Sequence, residues 1–385
     1  MGLLRLKFLN KVKAEIRRYQ KRKAFKLEIG QAQLPKIAVC FTGGLGDIIN
    51  STRFLRDLIA ECGPFEFDLY TPRLDYTKWV TAGIPGIMHL FNDMLWHEMR
   101  RHYRMAFEVS EIVVVRAEDW HRCGMLNQNV VQVGRTILDA RQNIELFVTH
   151  HPRLDNQLAR IAVLSGWTRR NYMHAMARIP YGGDALNVGI DKTILKTLGL
   201  AGAAYITVHN GFDTLARNTK TSTKVYPHFK AVVDLLKDAY PGVAIVQLGH
   251  LTSTDIPGVD INLIGKSSLE QTAALLHSAT LHLDNESGLV HLASCVGGRS
   301  AVFFGPTDID YFSYPQNINF PPAACGRCWC LSDDWNTRCL AGYAQPICLS
   351  YIKPESVLER VAPILMEKVV VVPPNVTPGA RASNI

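Results

Sequence analysis

Strands alternating with helices in both halves of this 385-residue chain predict an α/β protein of two parallel-sheet domains. Length supports the count of two, because single cores stop growing beyond roughly 250–300 residues. Two strand–turn–helix junctions, one glycine-rich near residue 43 and one polar near residue 285, supply the third observation. Turns of that kind, at the carboxyl ends of strands, are where such sheets hold ligands.

The first half opens on a short buried strand, Pro35 to Phe41, followed by the turn Thr42-Gly43-Gly44-Leu45-Gly46-Asp47. A helix runs from Ile48 to Cys62, with Ile49, Phe54, Leu55, Leu58 and Ile59 apolar, and Phe67 to Tyr70 is the next strand. Further strands are read at Ile112–Arg116 and Ile144–Thr149. The second half begins with the strand Tyr205–His209 and its polar end Asn210-Gly211. The helix 227–238, the strand Val243–Leu248, the helix Ser268–Ser278 and the strand Thr280–Leu283 come next. Asp284-Asn285-Glu286-Ser287-Gly288 then turns into a second helix, and the strand Ser300–Phe304 follows. The expected boundary lies near Pro180–Asp184. It gives an arm at 1–30, domains at 31–184 and 185–368, a cysteine-rich loop at 325–348 inside the second, and a tail at 369–385.

Residues 1–30 hold ten basic and two acidic side chains, so the whole formal charge of +8 resides there. Leu4, Phe8, Leu9, Val12 and Ile16 recur at roughly helical spacing. A basic amphipathic arm reads either as attachment to an anionic membrane surface or as a solvated helix packed on its own or another subunit. No nucleic-acid motif and no second basic region accompany it, so no nucleic-acid partner is expected. No apolar run reaches the ~18 residues of a membrane span, and the N-terminus lacks the layout of a secretory signal. A cytoplasmic chain is expected, peripheral on the inner face of the cytoplasmic membrane through the arm.

Gly44 and Gly46 lack side chains, which lets backbone N–H groups approach a ligand. The dinucleotide fingerprint is broken by Ile49 at the third glycine position, and no Walker lysine follows. Asp47 stands in the first helical turn, either as a charge complementing the helix dipole or as a general base. Lys224, near the entrance of helix 227–238 and beside Asn210, is a surface lysine or a phosphate ligand. Arg217 and Lys220 share that ambiguity. Glu286, Ser287 and Gly288 meet a helix N-terminus suited to a nucleotide diphosphate and its ribose. His291, one turn on, is a phosphate partner or a packing residue.

Five of nine cysteines fall between Cys325 and Cys348. Cys325-Gly-Arg-Cys328 has knuckle spacing, and Cys339 and Cys348 complete four soft ligands for a structural zinc or iron; buried or free thiols are the other reading. Cys330 is surplus to a four-ligand set.

LIGKSSLEQTAALL, NESGLVHLAS and AVFFGPTD resemble the C-terminal signature of glycosyltransferase family 9, the ADP-heptose:lipopolysaccharide heptosyltransferases and their relatives. GGLGDII and Lys224-Val-Tyr-Pro227 resemble that family's other motifs, so the likeness spans roughly residues 36 to 360. It implies a GT-B fold, with two Rossmann-like domains facing a cleft, the acceptor on the first domain and the nucleotide sugar on the second. It implies inverting transfer of a heptose-type sugar from ADP-heptose to a lipopolysaccharide-core or related surface-glycan acceptor, without a catalytic metal. By position, Asp47 matches the family's base, Lys224 its phosphate-binding lysine, Ser287 and Gly288 its diphosphate turn, and His291 the histidine after it. Glu286 stands where many relatives have aspartate. The Cys-Gly-x-Cys-Trp run resembles autotransporter heptosyltransferases, which modify proteins and bind iron through cysteines, so a protein acceptor stays open. An epimerase or hydrolase on the same fold and a non-catalytic nucleotide-sugar scaffold are the remaining alternatives.

Overall fold

The computed structural model describes residues 16–17, 19–24, 36–117, 120, 122–212, 222–251 and 253–369. Most of the basic arm, Arg217, Lys220 and the tail beyond 369 lie outside them.

Eleven strands form two sheets. The first contains β1 (Ile37–Phe41), β2 (Phe67–Thr71), β3 (Ile87–Asn92), β4 (Met105–Val109) and β5 (Val113–Arg116), in the order β3-β2-β1-β4-β5. Its pairings are parallel except β4 with β5, which is antiparallel. The second contains β6 (Tyr205–His209), β7 (Ala244–Gln247), β8 (Ile261–Asn262), β9 (Leu281–Asn285), β10 (Ser300–Phe303) and β11 (Ile318–Phe320), ordered β11-β10-β9-β6-β7-β8 and wholly parallel. Both sheets reverse strand order beside their first strand, which opens a crevice at its carboxyl end. This is the two-sheet α/β architecture expected.

The helix α1 (Leu45–Cys62) follows β1, and α2 (Gly288–Cys295) follows β9. Strands β1 and β9 are buried along their whole length; the apolar run of β1 reads directly as a central parallel strand, whereas β9 buries His282, Asp284 and Asn285 as well. The helix before β9, Leu269–Ser278, starts at a capping box between Ser268 and Gln271.

Local sequence misled at one segment. Ile144–Thr149, with Leu146, Phe147 and Val148 apolar, reads as a short strand, yet Glu145–His150 is a helix. Arg141 and Thr149 both bond Glu145, one turn away on either side. Those i,i+4 contacts favour a helical turn on an exposed surface that offers no strand to pair with. Strands β3, β4, β8 and β11 were not singled out in the sequence.

The stretch after Pro180 is clamped to α1 by three side chains spaced i, i+3 and i+4, which share one helix face. Arg53 Nε donates to the Asp184 carbonyl at 2.7 Å. Arg56 donates to the Gly183 carbonyl at 3.0 Å. Asp57 accepts from Gly182 N at 2.8 Å and from His174 at 2.9 Å. Burial pushes the Asp57 carboxyl up, but His174, Arg56 and the Gly182 amide outweigh it and hold it at about 2. A Cβ on Gly182 would sit 2.4 Å from Asp57 Oδ1. Gly182→Ala is therefore expected to cost about 1–3 kcal/mol in urea unfolding. Gly242→Ala, whose Cβ meets nothing within 4 Å, is the near-neutral control; equal midpoints for the two variants would show that the clamp does not depend on that close approach.

Candidate active site

A cleft of about 1260 Å³ lies between the two sheets, lined by the turn 42–47, by 286–289 and by Lys224. Two helix N-termini meet there. A Cβ on Gly288 would come within 3.1 Å of Leu45 Cβ and 3.3 Å of Gly46 N. A Cβ on Gly46 would strike the His291 ring at 2.5 Å. Glycine is thus required at both places because the first turns of α1 and α2 touch, and the partial positive ends of both dipoles face the same space.

Asp47 lines the cleft and is about one-third exposed. Its Oδ2 accepts from Gly44 N at 3.0 Å, which satisfies the N-cap amide at the start of α1. Its Oδ1 accepts from Arg169 Nη2 at 3.1 Å. The structural role and an exposed carboxylate edge therefore coexist in one residue. Gly44 spends its N–H on Asp47, and Gly46 serves contact with His291.

Arg169 is buried, and nothing in its local sequence marked it. Its guanidinium reaches Asp47 on one side and Glu111 on the other, Nε to Oε2 2.7 Å, and it donates to the Ser110 carbonyl at 3.0 Å. Glu111 also lines the cleft. Burial pushes its carboxyl up to about 7, against the pull of Arg169 and with a push from Asp47.

On the facing wall, Lys224 Nζ donates to Glu286, and His291 Nε2 lies 3.7 Å from the same carboxylate. Burial pushes Glu286 up, but Lys224 and His291 outweigh it and hold it down at about 2. The other nitrogen of His291 meets Tyr314 Oη at 2.6 Å. Tyr314 in turn accepts from Arg53 at 2.7 Å. Ser287 caps α2 by accepting from Leu289 N, and its hydroxyl donates to the fully buried Asp284. Asp284 is held low, against burial, by His209 at 2.8 Å and His282 at 3.1 Å. This buried carboxylate fixes the turn and was quoted in the motif without being recognised as its anchor.

Asn210 does not join this set. Its Oδ1 faces Gln247 at 3.4 Å, and the cleft takes His209, Gly211 and Phe212 instead. In an extended chain the neighbours of Asn210 lie on the other side of the pleat, which is the side that lines the cleft here.

The cysteine loop forms part of the cleft wall. Trp329, Cys330, Trp335 and Asn336 line it. Thr223 bonds the carbonyls of Trp335 and Asn336, both at 2.9 Å, which ties the loop to the segment carrying Lys224. Burial raises the Cys328 thiol, with Cys339 and Cys325 nearby adding to it. Burial pushes Cys348 up to about 12, with Cys325, Cys328 and Cys339 contributing. The four thiols expected as ligands are thus neighbours of one another. Among the described residues, however, no group of three or more His, Cys, Asp or Glu side chains is arranged to hold an ion.

Residues 204–321 match the model of glycosyltransferase family 9 (heptosyltransferase). No curated protein sequence matches the chain. Among solved structures, the ADP-heptose LPS heptosyltransferase II of E. coli superposes with a TM-score of 0.54 at 16% identity, over 87% of this chain and 99% of that one. A family 9 glycosyltransferase of Veillonella parvula DSM 2008 gives 0.55 at 16% identity, over 86% and 98%. The iron-containing dodecameric glycosyltransferase TibC of enterotoxigenic E. coli H10407 gives 0.54 at 14% identity, over 87% and 77%. The fold is that of the GT-B heptosyltransferases. No helix among the described residues is long and apolar enough to cross a membrane.

Because folding disfavours the ionised form of Glu111, this residue contributes stability fully below its ordinary 4.5 and loses it as pH rises to about 7. Urea stability measured from about pH 5 to about pH 8 is expected to fall more steeply in the wild type than in Glu111→Gln. Parallel curves would assign the slope to another group.

Proposed function

We propose, on the premise that this chain carries a glycosyltransferase family 9 domain and is a glycosyltransferase, that it transfers a heptose-type sugar from ADP-heptose with inversion at the anomeric carbon. The observation that carries this is the junction at the cleft, where two helix N-termini and Lys224 face the exposed edge of Asp47. Positive partial charge gathered beside one placed carboxylate suits a leaving diphosphate on one side and an attacking hydroxyl on the other.

Asp47 accepts the proton of the acceptor hydroxyl as its oxygen attacks the anomeric carbon. Gly44 N–H and Arg169 keep the carboxylate aimed across the cleft. The bond to the diphosphate oxygen breaks on the opposite face, and the N-terminus of α2, at Ser287 and Gly288, with Lys224 takes up the negative charge. Glu286 holds the Lys224 ammonium in place, and His291, steadied by Tyr314, lies beside it. A placed base contributes about 10²–10⁴-fold.

The acceptor favoured is a lipopolysaccharide-core or related glycolipid, in keeping with the basic amphipathic sequence of residues 1–30. A protein acceptor is the second reading, favoured by the cysteine loop that lines the cleft beside Lys224. TibC, an iron-containing protein of this fold, was solved with ADP-D-beta-D-heptose.

Calorimetric titration with ADP, UDP, GDP and CMP is expected to show selective ADP binding that weakens in Lys224→Ala. Asp47→Asn, which keeps a capping side chain, is expected to bind ADP as the wild type does and to lose about 10²–10⁴-fold in turnover of ADP-heptose. Full turnover in that variant would remove Asp47 from the base role, and tight binding of another nucleotide would replace the donor.

For the cysteine loop we propose a structural iron or zinc on Cys325, Cys328, Cys339 and Cys348, all soft donors drawn together by the fold. The ion would pin the wall carrying Trp329 and Trp335 and take no part in the transfer. Elemental analysis of the purified chain is expected to give about one metal per chain, lost in Cys328→Ser with a lower melting temperature. Metal-free protein that melts as the variant does would leave the thiols as packing groups.

A further inference from the structure

Arg100 and Arg101 are adjacent, in the short run Arg100-Arg101-His102-Tyr103-Arg104, while Arg116 and Arg141 lie in later segments of the chain. The fold brings all four to one cavity of about 540 Å³, with Tyr103 and Trp120 in its wall. Arg100 and Arg101 precede β4, Arg116 ends β5, and Arg141 lies on the helix Gln128–Gln142. The cavity therefore sits at the outer edge of the first sheet. Strand β5 runs antiparallel to β4 and places Arg116 opposite Ala106, at the end away from the cleft. The absence of a second basic region, expected from the sequence, is a property of the chain in one dimension only.

Among the described residues its charge is poorly balanced. Glu145 is engaged by Arg141 at 2.8 and 3.0 Å. Glu108 lies 3.7 Å from Arg100 and accepts from Trp96 at 3.2 Å. Among the described residues Arg101 and Arg116 have no carboxylate within ion-pair distance, and no carboxylate lines the cavity. Burial lowers the pKa of Arg116, and the neighbouring guanidiniums of Arg100 and Arg141 lower it further, against Glu108 and Glu145. Arg135 stacks over the outer Trp120 ring at 5.8 Å and adds a fifth cation to the rim.

The cavity adjoins the basic arm. Arg22, on the described part of that arm, pairs with Glu98, two residues before Arg100. Lys21 and Lys23 flank it, both exposed. We propose that this cavity is a docking site for the phosphate of an anionic phospholipid headgroup, which seats the outer edge of the first domain on a membrane surface. Guanidinium forks match phosphate oxygens, and the aromatic rings suit the boundary between headgroups and water. Lys21, Arg22 and Lys23 of the described arm lie beside this cavity, and they belong to a sequence whose basic amphipathic pattern favours a lipid surface over a soluble polyanion. The proposal stands apart from the identity of the sugar donor, because its readout is binding to vesicles.

Co-sedimentation of the full chain with phosphatidylcholine vesicles, with and without phosphatidylglycerol, tests it. Wild-type protein is expected to partition onto the phosphatidylglycerol vesicles alone. Arg101→Gln/Arg116→Gln is expected to partition about 30-fold more weakly, two charges' worth at an anionic surface, and each single substitution about fivefold. Both residues are exposed, and an unchanged melting temperature and unchanged ADP binding identify a folded variant. Wild-type partitioning in the folded double variant would overturn the site. So would indifference of the wild type to phosphatidylglycerol, or displacement from the vesicles by duplex RNA at equal phosphate concentration.

Discussion

The interaction on which the rest depends is the fully buried guanidinium of Arg53. It bonds the Asp184 carbonyl, Asn50 and the Tyr314 hydroxyl, and so ties α1 of the first sheet to the chain between the sheets and to the second. Sealing a charge away from water costs several kcal/mol unless good hydrogen bonds replace the lost hydration. Burial works against the charge, and Tyr314, Tyr181 and Asp184 overcome it. The apolar packing agrees, since one continuous core cluster includes Phe54 and Leu58 of α1 with Val290 and Leu292 of α2. From Arg53 the contacts run through Tyr314 to His291, and from His291 to Glu286 and Lys224. The wall proposed to receive a diphosphate is thereby oriented from a helix of the opposite sheet.

Arg169 does the corresponding work on the opposite wall of the cleft. One cation serves two carboxylates, Asp47 and Glu111, with different burial. The more buried carboxylate prefers its neutral form up to about pH 7, while the other keeps an edge toward the cleft. Proton uptake by Glu111 leaves more of the guanidinium to Asp47. Neutral pH is therefore where the electrostatics around Asp47 are most readily altered, without any change in the residues that would touch a substrate.

The parts legible in the sequence are those in which a short segment states its own environment. Ile37–Phe41 is apolar throughout because both faces are covered. Ser268 and Gln271 spell a helix start, and Gly46 and Gly288 are small because two backbones meet. The illegible parts need partners distant in the chain. Arg169 lies 122 residues from Asp47, and the four arginines at the outer edge come from three separate segments. Asn210 shows the converse. It sits beside true lining residues, and only the direction of its side chain, toward Gln247, removes it. Glu145–His150 shows that a short apolar run specifies a strand only where a neighbouring strand can receive it.

Glu286 brings the two halves of this picture together. Compared with an aspartate, its extra methylene lengthens the reach of the carboxylate. In this chain that reach lets one oxygen meet Lys224 while the other lies 3.7 Å from His291. The carboxylate is thus shared between the phosphate-side lysine and the histidine that Tyr314 and Arg53 fix from the other sheet. An aspartate would have to give up one contact or draw the first turn of α2 inward. The second option is closed, because Gly288 and Gly46 already allow no further approach between the helices. The longer acid and the two glycines are therefore one solution to a single packing constraint: helix N-termini close enough to share a ligand, with the lysine held at their edge.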